Sequence, residues 1–307
     1  MSFEALIKQK CRISNPMIRI CLAEFFGTFI LCLVGNGAVH EGAYKETGIF
    51  AVCFAYGLAV AFGIYASAGV SGGHVNPAVT IAMATLGRLG KTAGENAVMF
   101  LLYSISQIMG AFLSCFFVYG AYKAEEEYLT SNKNLSSHDL TGFYATWPTG
   151  DFEISAGNLF FDQVIGTWIL ITVIFSVTDN RNANPGGAAP LLIGLAACTI
   201  GLSYGANGGG AINPARDLGP RLFSLIMYGT EAIAGSGHFF WIPLVAPLVG
   251  GVIGSLCYLF VISAHWPEEE ENEEEYQKVS DGPVVNEENI NVEMIRTTSE
   301  IQRQEFY

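Results

Sequence analysis

Six stretches in which apolar residues run almost unbroken punctuate this chain, at Leu22–Val39, Ile49–Ala68, Ala97–Tyr119, Leu159–Val177, Ala188–Tyr204 and Phe239–Ala264. Each is near the ~20 residues that a membrane-spanning helix needs. Two glycine-rich runs break the pattern, Gly69-Val70-Ser71-Gly72-Gly73-His74 and Gly205-Ala206-Asn207-Gly208-Gly209-Gly210, and each leads into an Asn-Pro-Ala tripeptide, Asn76-Pro77-Ala78 and Asn213-Pro214-Ala215. Asn is a favoured N-cap and Pro suits the first helical position, where no N–H partner is required, so each tripeptide predicts a helix start. Behind the first, Val79 to Leu86 continue the helix before Gly87 and Arg88. About ten residues at ~1.5 Å each make ~15 Å, half of a ~30 Å hydrocarbon core. Two such half-helices entering from opposite faces meet near the midplane, and their non-helical approaches are tolerable at that depth only where they line a wet cavity.

The two halves of the chain share one plan. Ala23 to Leu31 lines up with Asp162 to Leu170, pairing Gly27 with Gly166 at an offset of 139 positions, while Asn76 and Asn213 are 137 positions apart. Three spans per unit is an odd number, so the copies must sit in the bilayer with opposite orientation. The expectation is an all-α polytopic membrane protein of six transmembrane helices plus two half-helices in an inverted repeat. Residues 21–265 form the channel domain, with repeats at about 21–121 and 158–265. Residues 1–20 are an N-terminal cytoplasmic segment and 266–307 an acidic disordered cytoplasmic tail.

At 51% hydrophobic and 14% charged, the chain is too apolar for an ordinary soluble domain. The formal charge of −13 misleads, because thirteen acidic and three basic residues between Glu268 and Tyr307 carry most of it. That tail is a solvated segment with no means of forming a core. Its end, Glu305-Phe306-Tyr307, and the hydroxyls of Ser280, Thr297, Thr298 and Ser299 offer features for a cytoplasmic partner or kinase. Lys8, Lys10, Arg12 and Arg19, then Arg88 and Lys91, then Arg181 all fall on one side of six spans, which predicts cytoplasmic termini. The connection from Ala121 to Asn158 then faces out and carries the glycosylation sequon Asn134-Leu135-Ser136. The seven cysteines lie in or beside the spans without metal-like pairing and read as packing residues rather than disulfides.

Glu24 and Gln163 stand at equivalent points of the two halves, inside spans, where a polar side chain is costly unless it is partnered. Their expected role is loop support, bonding the irregular backbone before each half-helix. An arginine at membrane depth, Arg216, is a functional candidate by default. Enzyme activity, a cofactor, a metal site and a nucleic-acid partner find no support in the residues. The competing classes are a passive channel, a coupled secondary transporter, which would need more ionisable groups within the spans, and a junctional or scaffolding membrane protein.

Two motifs, Ser71-Gly72-Gly73-His74-Val75-Asn76-Pro77-Ala78-Val79-Thr80 and Gly210-Ala211-Ile212-Asn213-Pro214-Ala215-Arg216-Asp217-Leu218-Gly219-Pro220-Arg221, resemble those of the major intrinsic protein family, the aquaporins, over about residues 20 to 265. Asp217 after Arg216, with Phe161-Asp162-Gln163 and the stretch Phe143 to Pro148, resembles the glycerol-conducting branch, the aquaglyceroporins. The resemblance implies a passive plasma-membrane channel for water, glycerol and other small uncharged solutes that excludes ions and protons, assembled as a homotetramer. It places a selectivity filter at Tyr56, Gly201, Gly210 and Arg216. Gly201 lacks the His of water-selective members and Gly210 lacks a common aromatic, so the filter is expected to be wide, with the Tyr56 hydroxyl offering a hydrogen bond. Carbonyls of Gly72, Gly73, His74, Gly208, Gly209 and Gly210 would line the path, the amides of Asn76 and Asn213 would donate at its centre, and Asp217 would serve as structural support, pairing with Arg221. Pro220 is expected to kink the second half-helix.

Overall fold

The computed structural model describes residues 2–148 and 153–267. Residues Met1–Ser263 form one compact unit, and a second begins at Ala264. The acidic tail and its proposed partner site therefore lie outside the described residues, apart from the short stretch through Pro267.

Among the described residues the long elements are helices: α1 (Phe3–Cys11), α2 (Pro16–Lys45), α3 (Gly48–Ser71), α4 (Pro77–Thr85), α5 (Ala93–Lys133), α6 (Ser137–Gly142), α7 (Ala156–Thr178), α8 (Ala189–Gly208), α9 (Pro214–Tyr228), α10 (Glu231–His238) and α11 (Ile242–Val261). Side-chain caps start most of them. The Asn15 side chain accepts from the Met17 N–H ahead of α2, Thr92 does the same for Glu95 in α5, and Ser155 for Asn158 in α7. Six helices are long and apolar enough to cross a membrane, and they contain the six predicted spans. The short pair α4 and α9 start at the two Asn-Pro-Ala tripeptides, as the capping argument requires.

Packing follows the repeat. In the first half α2 packs on α3 and α5; in the second, α7 packs on α8 and α11; α3 meets α8 between them. Each half-helix packs on the last span of the opposite half, α4 on α11 and α9 on α5, which interlocks the two units. The α3–α8 crossing depends on glycine. A Cβ built on Gly57 would lie 2.5 Å from the Gly194 carbonyl oxygen, and Gly194 approaches the Gly57 carbonyl in return. Small residues let helices approach this closely where no hydrophobic driving force from water acts. Gly57→Leu is expected to force the helices apart at a cost of about 1–3 kcal/mol, read as a lowered midpoint of thermal unfolding in detergent. An unchanged midpoint would remove this contact from the list of fold determinants.

Two expectations are corrected. The glycine-rich approaches are shorter than predicted, because α3 runs through Ser71 and α8 through Gly208 before the backbone turns left-handed at Gly72 (φ 89°) and Gly209 (φ 75°). Both glycines close the helix with an N–H bond to the carbonyl four residues back, Ala68 and Gly205. The third span also overruns its predicted end at Tyr119. Helix α5 has 41 residues, or ~62 Å at ~1.5 Å per residue, and its polar extension with α6 replaces much of the connection expected after Ala121. Exposed Asn134 terminates α5 with φ 52°, and Ser136 forms a capping box with Asp139 at the start of α6. Helix α9 runs through Pro220.

Candidate functional site at the apposed half-helices

The two loops before α4 and α9 are copies at the level of single dihedral angles. Gly72 and Gly209, Gly73 (φ 66°) and Gly210 (φ 57°), and Val75 (φ 45°) and Ile212 (φ 43°) repeat one left-handed pattern. A β-branched residue in that region costs on the order of 1–3 kcal/mol and persists only where its surroundings over-determine it. Here both backbone groups are claimed. The N–H of Val75 donates to Glu24 Oε2 at 2.8 Å, and that of Ile212 to Gln163 Oε1 at 3.1 Å. Their carbonyls accept across the repeat axis, Val75 O from Asn213 Nδ2 and Ile212 O from Asn76 Nδ2, each at 2.9 Å.

Each tripeptide Asn thus does two jobs with one side chain. Asn76 Oδ1 accepts from the Ala78 N–H, and Asn213 Oδ1 from those of Ala215 and Arg216. One amide hydrogen ties the opposite loop, which leaves the second for the cavity that both residues line. Pro77 and Pro214 occupy the first helical positions, and Ala78 and Ala215 are fully buried against the packed helices.

Glu24 is wholly buried and accepts four hydrogen bonds, from Ser71 Oγ and the His74 N–H at Oε1 and from the Val75 N–H and Gln107 Nε2 at Oε2. Acceptor-only chemistry of this kind suits an ionised carboxylate. Gln163 supports its loop through one accepted bond, and its Nε2 has no hydrogen-bond partner among the described residues. Thr80 donates to the Asn76 carbonyl, so His74 Nδ1, 3.2 Å from Thr80 Oγ1, must donate, and neutral His74 presents Nε2 as an acceptor.

A cavity of about 1000 Å³ runs between the halves. Its wall takes in Val39 and Ile49 at the α2–α3 turn and Thr178 and Ala189 at the α7–α8 turn. These turns are equivalent points of oppositely oriented repeats, so the cavity reaches both ends of the bundle. Tyr56, Gly201, Gly210 and Arg216 share its wall with Gly72, Gly73, His74, Asn76, Gly209 and Asn213. Gly208 is not on the wall. As the last residue of α8 it is buried, with Gln163, Leu159 and Phe239 around its Cβ direction.

Arg216 is held on two sides. Its guanidinium carbon lies 4.7 Å from the Tyr56 ring centroid, and its Nη1 donates to the Tyr144 carbonyl at 3.3 Å. The Tyr56 hydroxyl donates to Asn36 Oδ1 at 3.0 Å, correcting the expectation that it offers its hydrogen to the path; the ring, not the hydroxyl, faces Arg216. Gly210 is likewise more than an open wall, because its left-handed backbone strains any residue with a side chain. The segment across from Arg216 is fixed by Asp217. That carboxylate accepts from the Thr146 N–H at 2.9 Å and from Arg221 Nε at 2.8 Å, while Arg221 Nη2 donates back to the Thr146 carbonyl at 2.7 Å. Arg221 also lies over the Trp147 ring at 4.5 Å.

The sequence singles out the two tripeptides, Glu24, Gln163 and Arg216, and does not single out Asn36, Gln107, Tyr144 and Thr146. A signal existed for two of these, since Asn36 and Gln107 are carboxamides within predicted spans. None existed for the Tyr144 carbonyl, which any residue supplies.

Six apolar spans and two apposed half-helices around a cavity that reaches both ends are the architecture of an integral multi-pass membrane protein. The family described as Major intrinsic protein matches residues 12–258, and the chain belongs to it. Among relatives, human aquaporin-9 is 38% identical over 272 residues, covering 85% of this chain and 88% of that protein. Aquaporin-10 of the tardigrade Milnesium tardigradum is 36% identical over 289 residues, 87% of this chain and 68% of its own. The solved aquaglyceroporin from Plasmodium falciparum superposes with a TM-score of 0.70 at 34% identity, over 81% of this chain and 98% of that one.

Proposed function

We propose that the protein is a passive channel for water, glycerol and other small uncharged solutes that excludes ions and protons. The observation that carries this reading is the meeting of both half-helix N-termini at Asn76 and Asn213 on the wall of one cavity with Arg216 beside them. Helix N-termini carry partial positive charge, and a permanently charged arginine adds to it. A cation or hydronium ion meets a barrier there. Carbonyls of Gly72, Gly73, Gly209 and Gly210 and the two Asn amides give a hydroxylated solute partners in place of the water it sheds. Tyr56, Gly201, Gly210 and Arg216 form the filter in this reading.

The rest of the assignment is consistent with the same picture. Basic residues on one side of six spans support cytoplasmic termini, and the membrane in this reading is the plasma membrane. Exposed Asn134 is then an outer-face glycosylation site. Family membership supports a homotetramer, and the acidic tail would meet its partner in the cytoplasm.

The test is stopped-flow flux in proteoliposomes under sucrose and glycerol gradients, with a pH-sensitive dye for proton leak. Fast water and glycerol flux without leak supports the proposal, and no flux above empty vesicles sinks it. Gly201→His probes solute selection. Gly201 lines the cavity and a Cβ on it would lie 3.0 Å from Cys53 Sγ, so a large side chain must project into the path. Glycerol flux is expected to fall on the order of tenfold with water flux largely kept. Equal loss of both would move the filter elsewhere.

A further inference from the structure

The overrun of α5 carries a buried carboxylate that the channel reading does not use. Glu126 accepts from Tyr144 Oη at 2.5 Å and meets His40 Nε2 at 3.0 Å with Oε1, and accepts from Tyr228 Oη at 2.6 Å with Oε2. The side chains of His40 and Glu126 are 0% and 5% exposed. His40 Nδ1 lies 2.8 Å from the Asn36 carbonyl, and a carbonyl only accepts, so Nδ1 carries a hydrogen. A proton must then sit between Nε2 and Glu126, since otherwise two lone pairs would face each other without solvent. The His40 ring is enclosed by Tyr122 at 4.9 Å and Phe143 at 5.0 Å.

This cluster reaches Arg216 by two routes. Tyr144 bonds Glu126 with its hydroxyl and Arg216 with its carbonyl. Asn36 gives its carbonyl to His40 and its side chain to Tyr56, whose ring lies against Arg216. We propose that Glu126, with His40, is a positioning residue for Arg216, acting through Tyr144, and that the proton they share makes solute selection depend on pH.

The inference rests on Arg216 being part of the filter. The other titratable and charged groups around the pair are Glu41 and Lys45 on α2, Cys115, Tyr122 and Glu125 on α5, Tyr144 on the connecting segment, and Tyr228 and Arg216 on α9. Burial pushes the Tyr144 phenol well above its ordinary range, with the neighbouring Tyr228 and Glu126 adding to it, so Tyr144 stays a donor throughout. Loss of the shared proton would set the Nε2 lone pair against Glu126 Oε1, and a displaced Glu126 would carry the Tyr144 hydroxyl bonded to that oxygen with it. Networks of this kind modulate a remote site by roughly threefold to tenfold.

The experiment measures water and glycerol flux across mildly acidic to mildly alkaline pH in proteoliposomes of the full chain and of Glu126→Ala, Tyr144→Phe and Glu126→Gln. In Glu126→Ala and Tyr144→Phe the glycerol-to-water ratio is expected to change roughly threefold to tenfold, in the same direction as wild type on raising the pH. Glu126→Gln, whose carbonyl oxygen still accepts from Tyr144, is expected to keep the ratio but to shift its pH profile. Wild-type ratios and profiles in all three would overturn the inference. So would proportional loss of both fluxes with a lowered unfolding midpoint, which marks a merely structural cluster. Absence of flux in the wild type itself overturns the channel reading, and this inference with it.

Discussion

Glu24→Leu is expected to give protein that does not accumulate in folded form, or that unfolds far below the wild type. The carboxylate is fully buried and accepts from two backbone N–H groups of a strained loop, from Ser71 and from Gln107. Leucine leaves the His74 and Val75 N–H groups without partners in a site no solvent reaches, and each orphaned donor costs about 1–3 kcal/mol. Val75 would also lose the bond that holds its left-handed backbone, and its carbonyl is what Asn213 ties to. A loss of about 4 kcal/mol or more belongs to the exceptional class of single substitutions. Glu24→Gln is not neutral either, because its amide hydrogens would face donors. Gln163→Leu removes one bond and should cost only about 1–3 kcal/mol. The measurement is the yield of monodisperse protein and the thermal midpoint in detergent. A Glu24→Leu midpoint within about 2 °C of wild type would show that the loop is held by other means.

Arg216→Ala should open the cavity to cations. The guanidinium puts a permanent positive charge on the wall, fixed between the Tyr56 ring and the Tyr144 carbonyl. A unit charge at 4 Å is worth about 4 kcal/mol at an effective dielectric of 20, so its removal should raise cation or proton leak at least about tenfold. Water and glycerol flux should persist, since alanine only widens the path. Arg216→Lys separates charge from shape. It keeps a cation but loses the planar fork, and is expected to hold most of the ion barrier while altering solute selection. Dye-reported proton leak and membrane conductance read the result. A tight Arg216→Ala channel with normal water flux would assign ion exclusion to the two half-helix termini alone.

The difference between these two sites in legibility has a physical origin. Spans, helix starts and the duplication depend on contiguous residues: apolar length, an Asn N-cap followed by Pro, and matching offsets. Glu24 and Gln163 were legible as supports because a polar group inside a span must find a partner, and irregular backbone nearby needs donors satisfied. Helix ends set by composition fall short, by about a turn in α3 and α8 and by several turns in α5. Helices ran on to the last residue that could keep its N–H bonded, which moved the loop starts to Gly72 and Gly209 and took Gly208 off the wall.

By itself the sequence determined six spans and two half-helices inside an inverted repeat, and it singled out Asn76, Asn213, Arg216, Glu24 and Gln163 as polar groups that need partners. These follow from hydrophobic length, capping and the cost of unpartnered polar groups, all of which act on neighbouring residues. Only the tertiary structure decided that each Asn ties the opposite loop, that the Tyr56 hydroxyl points to Asn36, that Asp217 and Arg221 hold Thr146 across from Arg216, and that the overrun of α5 brings Glu126 to His40. Most of those bonds join groups far apart in the chain, several of them backbone carbonyls and amides that every residue carries, so no choice of side chain announces them. The packing of the two halves selects which ones meet.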